Sequence, residues 1–526
     1  MAEEAGLTVD AAGFSRAMQE QKERSRKAQK AARSAGAPEL ELVAEQTAWL
    51  SDQGVTPTDD YFKYKWDVDL PATVMAIYGE DGFLDEQTKV QPGDFVGLVL
   101  DKTAFYAEAG GQIADIGKLE LLDDDGKVMG SIDISDVQVY AGFILHKGVV
   151  GADGLEVGSL VNCRVDYECR RLVAPNHSMT HVLNAALRSV LGDKVDQRGS
   201  LCNNEKLRFD FTHKKAMNLE ELKAVERFCQ ESIEKSEEVT SNVMPLEEAK
   251  KVDGVRAVFG EVYPDPVRVI AVGGDTSVEF CGGTHLENTK DAEAFVLVEE
   301  GAIAKGIRRI TAITKDSAKA AIAEGEKFET VVSQTEALPG DTPDLDKMAA
   351  NIRKDLDAAY VSAALKAELR DRIEGIQKKS NDAKRKALQK RMSVVLSDLR
   401  NDVEAAIADG QRVVVLNLDI LADAKASQQV RNEVKRIDPE LAFLGVSEAE
   451  PGSGGKLMAF ACVPESLVES GLKANEWVLA AVDVCGGRGG GKPDNAQGQA
   501  QECSDVDAVM AAASSFAQEK VTVGVP

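Results

Sequence analysis

The chain has 526 residues, enough for several domains, with 44% hydrophobic residues and a formal net charge of −26. No run of about 18 apolar residues occurs, which excludes a membrane-spanning helix. The acidic start Met1–Gly6 lacks the apolar core of a secretory signal, so a cytoplasmic location is expected. The excess of 88 acidic over 62 basic residues confines any nucleic-acid contact to local patches.

Residues 1–36 read as helical, and their end is basic: 21–36 hold six Lys/Arg against one Glu. Ala37-Pro38 and Gly54–Pro57 mark breaks, so 1–60 is expected to be a helical connector. From 61 to 172 the chain is short β runs with Gly and Asp turns, including 73–78, 96–100, 117–122, 131–137 and 143–149. That pattern predicts a small β-barrel or sandwich. Residues 173–316 alternate helices (176–191, 219–237) with strands, which predicts an α+β domain. Asn176, after Pro175, reads as the cap of the first helix, and Gly192 as its stop.

From 317 to 411, apolar residues such as Leu345, Met348, Ile352 and Leu356 recur at helical spacing. Long charged helices are expected, packed as an antiparallel pair around Gly375. Within them, 371–391 carry eight Lys/Arg against three acids. Residues 412–526 return to strand–helix alternation and form a C-terminal α/β domain with a glycine-rich loop at 486–491. The fold class is therefore α+β multidomain. The cysteines show no framework spacing. Cys163, Cys169, Cys202, Cys229, Cys462, Cys485 and Cys503 are expected to be buried free thiols.

Two pairs of ligating residues share one spacing: His177 with His181, and Cys281 with His285. Three of only five histidines fall in them. An i, i+4 pair on a helix points two imidazoles the same way. Gly282-Gly283 lets Cys281 and His285 close on one point from a second segment. Together the four match a tetrahedral Zn2+ site. Ordinary surface or core histidines are the bland alternative for the first pair alone.

These residues carry a resemblance. The His pair followed by Ser277-Val278-Glu279-Phe280-Cys281-Gly282-Gly283-Thr284-His285 resembles the editing domain of alanyl-tRNA synthetases. Thr103-Ala104-Phe105-Tyr106-Ala107-Glu108-Ala109-Gly110-Gly111-Gln112, Gln197-Arg198-Gly199-Ser200 and Leu207-Arg208-Phe209-Asp210-Phe211 are similar to further motifs of that family, as is Gly486–Asp494 near the end. The resemblance spans the chain in order and corresponds to the family's C-terminal half, so no alanine activation is expected from this chain alone.

The resemblance implies hydrolysis of mischarged Ser-tRNA(Ala) and Gly-tRNA(Ala), with tRNA(Ala) as partner and a homodimer formed through the C-terminal region. It marks Thr103, Gln112 and Cys281 as candidate catalytic residues. His177, His181, Cys281 and His285 are the candidate metal ligands. Arg208, Arg308, Arg309, Arg488 and Lys492 are the candidate tRNA contacts. Ala109 departs from the pattern, because many relatives carry a hydroxyl residue there. The competing reading is a zinc-stabilised tRNA-binding or dimerisation module without catalysis.

Overall fold

The computed structural model describes residues 40–85, 90–151, 153–256, 263–449 and 452–522. The helix expected over 1–36 and its basic stretch 21–36 lie outside the described residues. The described chain opens with helix α1 (Ala44–Asp52).

Strands β1 (Leu70–Gly79), β2 (Gly82–Phe83), β3 (Phe95–Leu100), β4 (Gly117–Leu122), β5 (Val128–Tyr140), β6 (Phe143–Val150) and β7 (Leu160–Val165) form one antiparallel sheet. Its order is β2-β1-β3-β6-β5-β4-β7, and β1 also pairs with β7, so six strands close into a barrel. Closure leaves no open edge among those six. Alternate residues such as Leu98, Leu119, Ile132 and Val161 point inward and are buried.

Helix α2 (Tyr167–Leu191) follows at once. It starts nine residues before the expected cap. The Asp166 side chain accepts from the Cys169 amide and caps it, and Pro175 sits inside. Asn176 is therefore not a cap. Its side chain bonds Thr314, Leu172 O and Asn203 O in the interior. Gly192, with φ +94°, ends the helix as expected.

Strands β8 (Gln197–Cys202) and β9 (Leu207–Thr212) lead to helix α3 (Leu219–Glu234), whose capping box joins Asn218 and Glu221. Strand β10 (Val239–Met244), the short helix α4 (Leu246–Ala249), β11 (Val267–Val272) and β12 (Ser277–Phe280) come next. Strands β13 (Phe295–Ala304) and β14 (Ile307–Thr314) complete the region. The order is β10-β11-β12 in one antiparallel sheet and β13-β14-β9-β8 in another. Met179, Leu183, Phe209, Phe211, Val225 and Phe295 pack the core between these sheets and α2 and α3.

Three helices follow: α5 (Lys315–Ala337), α6 (Leu345–Ala358) and α7 (Ala363–Ala408). The helix does not turn at Gly375. Nothing packs within 4 Å of that Cα's open side, and α7 runs through it for 46 residues. The break lies at 359–362 instead.

The last sheet has the order β15-β16-β17-β19-β18. It comprises β15 (Val413–Asn417), β16 (Ala442–Glu448), β17 (Leu457–Cys462), β18 (Arg488–Lys492) and β19 (Asn495–Ala500). Helices α8 (Ala424–Ile437), α9 (Glu465–Glu469), α10 (Ala474–Asp483) and α11 (Val506–Thr522) accompany it. Two expectations fail here. The glycine run is not a loop: 488–492 form an edge strand paired with β19. A Cβ on Gly489 or Gly498 would lie 3.1 or 2.7 Å from Val478 Cγ1 of α10, so these glycines admit close helix packing. Cys485 and Cys503 are also not free thiols, because they form a disulfide. They flank the β18–β19 hairpin, which folds their Cα atoms to 5.3 Å despite a separation of 18.

The chain divides into two compact units. One is Met1–Thr330 with Asp355–Arg370, and the other is Val331–Lys354 with Asp371–Pro526. The segment 317–411 is thus shared between them. No described helix is long and apolar enough to cross a membrane.

Candidate metal centre

Helix α2 brings His177 and His181 onto one face, one turn apart. The segment after β12 brings Cys281 and His285 to the same point, and all four ligand atoms lie within 4.8 Å of one another. Cys281 Sγ is 3.3 Å from His177 Nε2 and 3.3 Å from His285 Nε2. Zinc–sulfur and zinc–nitrogen bonds of about 2.3 and 2.0 Å at tetrahedral angles give ligand separations of roughly 3.3–3.6 Å, so the donor set fits.

Each imidazole is oriented by a partner on its other nitrogen. His177 Nδ1 lies 2.6 Å from Gln112 Oε1, His181 Nδ1 2.7 Å from Glu279 Oε2, and His285 Nδ1 3.2 Å from Ser178 Oγ. These partners leave every Nε2 free to face the centre. His181 Nε2 is buried with no hydrogen-bond partner. An orphaned nitrogen beside a thiol and two more imidazoles is the mark of a cation site.

The electrostatics agree. Burial opposes ionisation of Cys281, yet the surrounding imidazoles hold its pKa well below the ordinary thiol value. Burial alone would also lower His181, but Glu279 and Cys281 raise it to about 10. Burial pushes His285 down to about 3. Two negative groups thus stabilise positive charge at the centre, and a thiolate is the form a metal takes.

Gly283 is required by contact. A Cβ there would lie 2.1 Å from His177 Cε1 and 2.9 Å from Gln112 Oε1. Gln112 ties the barrel to the ligand segment: its Oε1 accepts from the Thr284 amide at 2.9 Å and its Nε2 donates to Thr284 Oγ1 at 2.8 Å. The Gly110–Gly111 turn rests on β8. There Cys202 N donates to Gly111 O, and Ser200 Oγ to Gly110 O. Ala109 is exposed, and Ser200 supplies the hydroxyl beside this turn.

The whole chain aligns with curated alanine–tRNA ligases. It is 34% identical over 539 residues to the cytoplasmic enzyme of Dictyostelium discoideum, which covers 98% of this chain and 55% of that protein. It is 36% identical over 557 residues to the cytoplasmic enzyme of Drosophila melanogaster, with 99% and 56% covered. The chain belongs to the alanyl-tRNA synthetase family.

It spans about half the length of these relatives. Family models agree along the chain. "tRNA synthetases class II (A)" matches residues 1–169, and "Threonyl and Alanyl tRNA synthetase second additional domain" matches 267–311. An alanine–tRNA ligase domain matches 318–383 and a DHHA1 domain 410–519. A crystal structure of the C-Ala domain from Aquifex aeolicus alanyl-tRNA synthetase aligns at 16% identity and TM-score 0.17, over 21% of this chain and 89% of that one.

Within this family member, the expected catalytic residues part ways. Gln112 and Cys281 meet at the centre. Thr103 is fully buried in the barrel, where its hydroxyl bonds His146 Nε2 at 2.7 Å and accepts from Phe105 N at 3.1 Å. Neither bond reaches the four ligands. Arg308 and Arg309 form bidentate pairs with Glu300 and Asp210, so their forks are already engaged. Arg208 Nε is buried without a partner, whereas Arg488 and Lys492 are exposed on β18. Sequence reasoning missed Ser178, Asn184, Thr284 and Arg268, which are polar types without a ligand spacing. Asn184, one turn beyond His181, donates to Glu279 Oε1 at 2.8 Å.

Proposed function

We propose that this chain carries the hydrolytic editing activity of an alanyl-tRNA synthetase. It cleaves the ester of Ser-tRNA(Ala) and Gly-tRNA(Ala), within a longer synthetase or in trans to one. The observation that carries the reading is the meeting of three imidazole Nε2 atoms and the Cys281 thiolate at one buried centre. The need is physical. An alanine pocket cannot strongly reject the smaller glycine or serine with its added hydroxyl, so a second site must remove the errors.

A zinc ion bound there would act as Lewis acid toward the ester or a water. His177, His181, Cys281 and His285 would hold it. Glu279, Ser178 and Gln112 fix the imidazoles, and Gln112 and Thr284 present amide and hydroxyl groups to a polar substrate. Thr103 anchors the start of the segment that leads to Gln112, inside the barrel, through His146 and the Phe105 amide. Arg268, donating to Cys281 O at 3.2 Å and Gly283 O at 2.7 Å, holds the ligand segment in shape. Arg488 and Lys492 on the exposed edge strand contact tRNA(Ala), and the C-terminal region pairs two copies. The cytoplasm is the place of work, as the names of the two relatives suggest.

One observation favours a second reading. Four protein ligands close a tetrahedral site, as in structural zinc centres. On that reading the metal only holds a tRNA-binding module together. Deacylation of Ser-, Gly- and Ala-tRNA(Ala) by the purified chain separates the two. Editing predicts rapid loss of the serine and glycine esters and slow loss of the alanine ester. Esters that all decay at the rate of buffer support the binding module.

A further inference from the structure

Residues 61–66 read Tyr-Phe-Lys-Tyr-Lys-Trp, four aromatics interleaved with two lysines. The metal centre uses none of these side chains as a ligand. A single 3-10 turn covers Tyr61–Tyr64. The fold holds this segment firmly from beneath. Arg170, 1% exposed, donates to Lys63 O at 3.1 Å and Lys65 O at 3.2 Å, and its guanidinium lies 5.7 Å from the Trp66 ring centre.

The segment touches the ligand-bearing loop on two sides. Tyr64 Oη donates to Gly282 O at 3.3 Å, and the Arg268 guanidinium lies 4.1 Å from the Tyr64 ring centre. At the other end, Trp66 lines a hollow of about 460 Å³ with Leu286, Lys290 and Lys315; acids line it too, Glu287 and Asp291 beside Lys290, with Glu293 paired to Lys315 and Asp67 to Arg171. That volume is in the range for a ligand of nucleotide size. Leu286 N donates to Ser178 Oγ, which in turn meets His285.

The outer surface stays open. Tyr61 is 56% exposed, with the Lys65 ammonium 5.4 Å from its ring centre. Lys63 is paired with Asp60, and Arg171 with Asp67 and Glu168. Lys65 and Lys290 form no ion pair among the described residues and keep their charge for a ligand. Aromatic faces alternating with cations are what unpaired nucleic acid binds: bases stack, phosphates meet ammonium groups, and the stacking tolerates any base.

We propose that Tyr61–Trp66 is the stacking platform for the unpaired 3′-terminal nucleotides of tRNA. Tyr61 and Trp66 receive bases, and Lys65 and Lys290 meet the phosphates. The inference rests on the editing reading of the metal centre and adds the residues that hold the substrate's end beside it. Arg170 is the positioning residue that fixes the platform.

The test uses uncharged RNA, so hydrolysis does not enter. An acceptor-stem minihelix with its unpaired 3′ nucleotides, and the same minihelix with them removed, are titrated with the full chain by fluorescence anisotropy. The wild type is expected to bind the complete minihelix more tightly. Tyr61→Ala and Trp66→Ala should each weaken that binding by about tenfold and leave the truncated RNA unaffected. Trp66→Phe should restore most of the loss, which separates stacking from misfolding. Equal affinity of the wild type for both RNAs, or alanine variants that bind like wild type, overturns the proposal. If the distinction between RNAs appears but no ester is cut, the editing reading fails and the platform stands.

Discussion

Gly283 sits where a side chain would strike the His177 ring, with the added Cβ 2.1 Å from Cε1. Gly283→Ala should displace His177 and lower the zinc content per chain, measured by plasma mass spectrometry, while the barrel stays folded. A variant that retains a full equivalent of zinc contradicts this role. His146 offers a pH test away from the ligands. Burial lowers its pKa to about 4, beneath the ~6.5 of an unfolded chain. The unfolded state therefore binds more protons between these values. The stabilisation is complete above about pH 6.5 and is lost as pH falls toward 4, by roughly 3 kcal/mol in order of magnitude. His146→Gln should flatten the melting temperature's dependence on pH in that window, and an unchanged slope counts against the account. At this scale the meeting of the four candidate ligands was legible, because ligand chemistry demands scarce residue types at fixed spacing. The burial of Thr103 against His146 was not legible, because a motif states which residue is present and not which way it faces.

Helix α2 joins the barrel to the metal centre, and its first turns bear the heaviest interaction. Arg170 is buried against Asp115, and also donates to Ala104 O at 2.7 Å. Removing one partner of such a pair leaves the other charge buried, at about 3–5 kcal/mol. Arg170→Met should lose stability on that scale in urea unfolding, and a loss under 1 kcal/mol would show that the pair carries little. Strands of the barrel were legible as short β runs between Gly and Asp turns, and 117–122 matches β4 at both ends. The start of α2 was not, because Pro175 reads as a helix boundary while the cap at Asp166 outweighs it. The glycine-rich strand β18 was not legible either, since glycine lacks strand propensity. Its reason is the close packing of α10, a long-range fact.

At the scale of the whole chain, a net charge of −26 opposes an RNA partner, so the proposed tRNA binding must work through few cations. Arg488→Ala and Lys492→Ala should each reduce the salt dependence of tRNA affinity by roughly one unit of log–log slope, and an unaltered slope removes them from the interface. A small barrel or sandwich was legible over 61–172, but the strand order that closes it and the Cys485–Cys503 link were not, because each depends on strands or hairpins meeting in space. The family's order of motifs along the chain was legible throughout. The central claim is that one metal ion held by His177, His181, Cys281 and His285 supports ester hydrolysis. Its most direct test strips the purified chain with a chelator, returns zinc in steps, and follows bound zinc and Ser-tRNA(Ala) hydrolysis in the same samples. The account predicts that the rate rises in proportion to bound zinc and saturates at one ion per chain, with no recovery in a Cys281→Ala, His285→Ala variant. Hydrolysis that persists undiminished in the stripped, folded chain contradicts it.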